Sequence, residues 1–295
     1  MKSLISKFWC LLFITFCILS PSLSQAIELT GAGATFPQPV IEAWAYEYYK
    51  RTKVKINYQG IGSGGGIRQV QEKTVDFGAS DKPLTSEELR KYNLVQFPFL
   101  IGAVVITYNL PELKNISLNL DHKAICDIYL GKIKNWNDLY LKKLNPKVNL
   151  PERPIVAVRR SDGSGTTWLF TTYLSKACSE WKEKVGAGTS VNWPVGIGAK
   201  GNPGVTNYVK QNAGAIGYVE FIYAKQNSLP MANLLNAEGN AFVSPSVKSM
   251  QSASNNVKWE IEKDFFLQIL LTNLVKILIP LQEHLLSLSL LISLI

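Results

Sequence analysis

The chain has 295 residues, 46% hydrophobic and 18% charged, which is enough apolar material for a core and too little polar bias for disorder. Its formal net charge of +9 attracts anions in general, yet no run of five Lys/Arg and no nucleic-acid motif accompanies it. His122 and His284 are the only histidines, which excludes a His-rich metal site and leaves at most one imidazole for a nucleophilic triad.

Met1 to Lys7 is short and basic, Phe8 to Leu19 is nearly continuous apolar sequence, and Pro21 to Ala26 is small and polar. That order predicts a secretory signal peptide cleaved after Ala26, residues 1–26, and a periplasmic protein. The apolar run is short for a bilayer-spanning anchor. Phe16 precedes Cys17 where lipidation expects a small residue, so a lipoprotein is not expected. Cys126 and Cys178 remain after cleavage. In an oxidising compartment they could pair, or they could be two buried thiols; spacing alone does not give their separation in space.

Glu28-Leu29-Thr30 is a strand candidate that enters the glycine-rich Gly31 to Phe36. Pro37 sits where a helix begins, and Val40, Ile41, Trp44 and Tyr48 carry helical spacing to about Lys50. Val54 to Tyr58 alternates as a strand, and Gly60 to Gly66 leads into a helix marked by Ile67 and Val70. Val75 to Asp81 reads as a short strand ending at a loop, and Gly102 to Tyr108 as an apolar strand. Leu120 to Leu130 is a helix candidate, with His122 at the surface before it, and Asn135 to Asp138 starts another. Pro154 to Val158 is a strand running into Arg159 to Thr167, after which Trp168, Phe170, Thr171 and Leu174 mark a helix. Gly214 to Val219 is one more strand, and the alternation predicts α/β layers.

From about Phe265 to Ile295 the chain turns to Leu, Ile and Ser and ends bare and apolar. A membrane-binding terminal helix is one reading, interrupted by Lys276, Pro280, Glu283 and His284; out-of-frame translation after a lesion is the other, and the favoured one.

Thr35-Phe36, Ser63-Gly64-Gly65-Gly66 and Ser164-Gly165-Thr166 each stand at a predicted helix N-terminus. The first helical turn leaves backbone N–H groups without internal partners, and the helix dipole adds positive potential there. One such start is more often just a cap. Three of them converging could surround a tetrahedral oxyanion without lysine. Arg160 offers a planar fork for two parallel bonds to an anion, and Asp162 is placed to orient it. Asp81 looks misplaced in an anion site until phosphate is considered. Phosphate near neutral pH keeps a proton that it can donate to a carboxylate; sulfate has none, and mismatched hydrogen bonding of this kind can discriminate by about 10⁴ or more. No G-x-x-x-x-G-K-[ST] loop occurs, and Ser164 sits in Asp-Gly-Ser-Gly-Thr rather than G-x-S-x-G, so no enzyme, cofactor or metal is expected. A phosphomonoesterase on the same scaffold, or an exported adhesive protein with a vestigial cradle, are the competing readings.

The stretches Leu29 to Pro37, Asn57 to Ser63, Val75 to Asp81, Asp127 to Ile133, Arg159 to Thr166 and Gly214 to Glu220 together resemble the PstS family, the phosphate-binding proteins of bacterial phosphate ABC transporters, over about residues 28 to 255. The resemblance implies a two-lobed α/β fold of the type II periplasmic-binding-protein class with a hinge between lobes. It places residues 27–105 and 223–256 in lobe 1 and 106–222 in lobe 2, and leaves 257–295 as a divergent apolar tail. Lobe 1 is then incomplete at its C-terminal end. The implied activity is non-catalytic: capture of inorganic phosphate and delivery to a membrane permease, by a monomer that binds no nucleic acid. Thr35 and Phe36 would donate backbone N–H, Ser63 both backbone and side chain, and Asp81 would accept the phosphate proton. Arg160 would be the cationic contact, held by Asp162, and Ser164, Gly165 and Thr166 would complete the cage. Gly64 stands where some members have a second serine.

Overall fold

A computed structural model describes residues 27–113, 116–236, 238–255 and the backbone of 291–294. The expected signal peptide, and the expected tail apart from that last stretch, lie outside the described residues.

The first sheet has the order β2-β1-β3-β12-β4. It is built from β1 (Glu28–Gly33), β2 (Lys55–Gly60), β3 (Phe77–Ser80), β4 (Val95–Pro98) and β12 (Leu291–Leu294). β1 runs parallel to both β2 and β3, whereas β12 lies antiparallel between β3 and β4. A piece of the divergent tail therefore lies inside the sheet of lobe 1, next to its edge strand β4. Three helices accompany this sheet: α1 (Gln38–Thr52), α2 (Ser63–Gln71) and α3 (Ser86–Tyr92). Sequence reading did not anticipate α3, although Thr85 and Glu88 form a reciprocal capping box at its start.

The chain crosses to the second sheet after β4. That sheet runs β5-β9-β7-β8 and comprises β5 (Val104–Tyr108), β7 (Val156–Arg160), β8 (Ile197–Ala199) and β9 (Ala215–Glu220). Between and after these strands lie α4 (His122–Tyr129), α5 (Leu139–Leu144), α6 (Gly165–Ala177), α7 (Ser179–Lys184), α8 (Gly201–Gln211), α9 (Phe221–Gln226) and α10 (Val247–Asn255). Its two faces are packed: Tyr129, Phe170, Trp181 and Tyr218 lie in the larger core, and Val158, Val205, Val209 and Val219 in the other. The alternation of strand and helix that predicts an α/β fold is what is found.

One boundary differs from expectation. Residues 223–256 are expected in lobe 1, but β10 (Asn233–Leu235) pairs in parallel with β6 (Asn119–Leu120) and antiparallel with β11 (Phe242–Val243). Met250 packs on the same core as Val205 and Val219. The described residues of this segment, up to 255, thus lie with lobe 2, because their short strands complete a sheet edge provided by residues 119–120.

Cys126 and Cys178 form a disulfide, with Cα atoms 6.6 Å apart and a sequence separation of 52. It ties α4 to the junction of α6 and α7, inside lobe 2. In lobe 1, α1 buries only Ile41. Beside it a cavity of about 510 Å³, lined by Ile41, Trp44, Leu29, Ile56, Phe77 and Phe97, lies against the first sheet. Among the described residues, no helix is long and apolar enough to cross a membrane, and no three His, Cys, Asp or Glu are grouped to hold a metal ion.

Candidate functional site

The predicted helix starts meet at the interface of the two lobes. Ser63, fully buried at the start of α2, accepts on Oγ from the Asp81 N–H at 3.2 Å and from the Gly165 N–H at 3.1 Å, one donor from each lobe. A hydroxyl oxygen has two lone pairs, so the remaining function of Ser63 Oγ is to donate its proton. The backbone adds a second tie, Gly64 N–H to Gly163 O at 2.9 Å. The fit is close: a Cβ on Gly165 would stand 2.5 Å from both Asp81 Cβ and Ser63 Oγ. A Cβ on Gly62, already in the left-handed region at φ +87°, would stand 2.4 Å from the Asp162 carboxylate.

Arg160 closes β7 and is buried. Its guanidinium forks onto Asp162, with Nε to Oδ1 at 2.8 Å and Nη2 to Oδ2 at 2.5 Å. Burial acts to raise the Asp162 carboxyl, but the Arg160 bonds and charge, with the Gly201 N–H at 2.9 Å, hold it below its ordinary value. Behind the arginine, the Tyr218 hydroxyl accepts from the Arg160 N–H and pairs with Thr167 Oγ1. Tyr218 in turn stacks on Phe170 at 4.2 Å, so the charge is seated on a rigid aromatic layer.

Asp81 follows β3 and is buried. Its Oδ2 accepts from Thr166 Oγ1 at 3.5 Å, and Thr166 also receives Arg160 Nη1 at 3.4 Å. Burial pushes the Asp81 carboxyl up to about 7 against the opposing pull of Arg160 and Thr166. The structure therefore brings Ser63, Asp81, Arg160, Asp162, Gly165 and Thr166 together through hydrogen bonds that cross the interface. Thr35 joins them through Asn202, described below, and the Phe36 ring lies over Gly102. Ser164 sits alongside in a different posture. Its N–H is bonded to Thr189 O, and its Oγ accepts from Thr167 N–H as the cap of α6, which leaves its hydroxyl proton as what it can donate.

Four residues of this region were not found from sequence. Asn202 sits at the start of α8, a fourth helix N-terminus facing the same interface; its signal was Gly198 to Gly204, a glycine-rich entry with Pro203 in the first turn. Glu220 ends β9 and is buried, and burial together with the neighbouring Asp81 charge holds its carboxyl well above its ordinary range. Tyr58 and Tyr223 donate their hydroxyls to the carbonyls of Ala34 (2.7 Å) and Thr35 (2.5 Å), fixing the loop before α1.

This fold and interface define a class: residues 20–284 match the family model described as the PBP superfamily domain. Within that class, the phosphate-binding protein PstS of Pasteurella multocida is 52% identical over 250 residues, covering 85% of this chain and 71% of the relative. That of Haemophilus influenzae is 53% identical over 236 residues, covering 80% and 70%. A solved high affinity periplasmic phosphate-binding protein, PfluDING, bound with phosphate at pH 8.5, shares the fold at a TM-score of 0.68 and 22% identity, over 91% of this chain and 80% of its own. The chain belongs to the PstS family of phosphate-binding proteins.

Proposed function

We propose that this chain is an exported, periplasmic receptor that captures inorganic phosphate between its lobes and delivers it, as a monomer, to the membrane permease of an ABC transporter. The carrying observation is chemical: a buried carboxyl, Asp81, stands among helix N-termini and one guanidinium. Donors from Thr35, Phe36, Ser63, Ser164, Gly165 and Thr166 suit the oxygens of a tetrahedral anion, and Arg160 adds charge-assisted bonds. Asp81 suits the one oxygen that bears a proton. The residues hold and orient the anion, and none is arranged to attack it. The names of its PstS relatives support the same ligand. Charge-assisted hydrogen bonds contribute roughly 1.5–3 kcal/mol each, enough in combination for tight capture after entropic costs.

Titration of the purified chain with phosphate and with sulfate by calorimetry tests this reading. Phosphate is expected to bind at least about 10⁴-fold more tightly. Equal affinities, or no heat with phosphate, would overturn it.

A further inference from the structure

Asn202 is fully buried and carries four hydrogen bonds at the junction of the lobes. Its Oδ1 accepts the Glu220 N–H at 3.0 Å, an obligate donor, which fixes the orientation of the amide. Nδ2 is thereby turned toward Thr35 Oγ1 of lobe 1 at 2.9 Å and Thr166 Oγ1 of lobe 2 at 3.4 Å. Its own N–H, at the first turn of α8, also donates to Thr35 Oγ1, at 3.1 Å. With both lone pairs of Thr35 Oγ1 met by Asn202, the Thr35 hydroxyl is left only its proton to offer.

We propose that Asn202 is a positioning residue that latches lobe 1 to lobe 2, turning the Thr35 hydroxyl into a donor aimed at the bound anion and the Thr166 hydroxyl toward Asp81. It acts through these threonines and does not itself hold the ligand. The latch exists only when the lobes are closed, since Thr35 and Asn202 belong to different lobes. It therefore acts on release more than on encounter. The proposal rests on the phosphate reading above for its ligand.

A double-mutant cycle with inorganic phosphate as the probe tests it. Asn202→Ala is expected to weaken phosphate roughly 10-fold through faster dissociation, and Thr35→Ala to do the same. The double variant should bind about as well as T35A alone, because the two changes remove one interaction. Multiplicative losses, or an N202A variant that binds and releases phosphate like the parent, would overturn the latch. If N202A does not fold, N202S, whose short hydroxyl cannot reach both threonines, takes its place in the cycle. If the parent chain takes up no phosphate, it is the phosphate reading that fails. The latch is then decided by small-angle scattering of the ligand-free proteins: a larger radius of gyration for N202A supports it, and identical curves reject it.

Discussion

Asp81 shows how one side chain can carry two consequences. As an acceptor among donors it should repel sulfate, so Asp81→Asn is expected to admit sulfate by calorimetry while retaining phosphate at reduced affinity. Its proton also links to folding. The carboxyl rises from 3.8 to about 7 on folding, so the ligand-free native state holds a proton that the unfolded chain releases. The resulting stability is complete below about pH 4 and is lost as pH rises through 7. Ligand-free protein should melt progressively lower from about pH 4 to pH 8, and D81N should show a smaller decline. Asp81, Arg160 and Asp162 were legible in the sequence because their chemistry is conspicuous beside glycine-rich turns. Glu220 and Asn202 were not. Each looks like an ordinary polar residue in its own segment, and only the packing of β9, α8 and β3 gives it a role.

At the scale of the element, helix starts were legible when cap and glycine lie in one short stretch, as at Ser63 and Ser164. Local residues supply both the cap and the exposed N–H groups there. The starts of α3, α7, α8, α9 and α10 were not legible: α3 has a capping box but only seven residues, and α7, α8 and α9 begin without a side-chain cap. The start of α6 carries a sharp prediction. Gly165→Ala places a methyl 2.5 Å from Asp81 and Ser63, so the lobes cannot close fully. Overpacking of this kind costs about 1–3 kcal/mol, so phosphate affinity should fall by about 5- to 150-fold. Scattering with saturating phosphate should show a more open molecule than the parent.

Across the whole molecule the two lobes are held differently. Lobe 2 has two packed faces and a disulfide, whereas lobe 1 has smaller apolar clusters and a cavity against its sheet. Closing a loop of 52 residues constrains the unfolded chain by about 4 kcal/mol in the loop-entropy account. Replacing Cys126 and Cys178 by Ser together should lower denaturation stability by up to that amount. Phosphate affinity should stay within about 2-fold, because Cys178 lies at the far end of α6 from Gly165, about 20 Å along the helix. The layering of strands and helices was readable from hydrophobic period. The lobe boundary was not, because β6, β10 and β11 are two or three residues long and leave no periodic trace.

The fork between Arg160 and Asp162 bears on how the anion would be gathered and how it would be judged. The guanidinium is already neutralised by its own carboxylate, so the pocket projects little attraction into solvent. Long-range drift toward the protein would then fall to its overall positive charge, which salt screens beyond about 8 Å at physiological strength. Arrival is thus a property of the surface and sensitive to the medium. Choice would then be made at contact, by hydrogen-bond matching at buried groups.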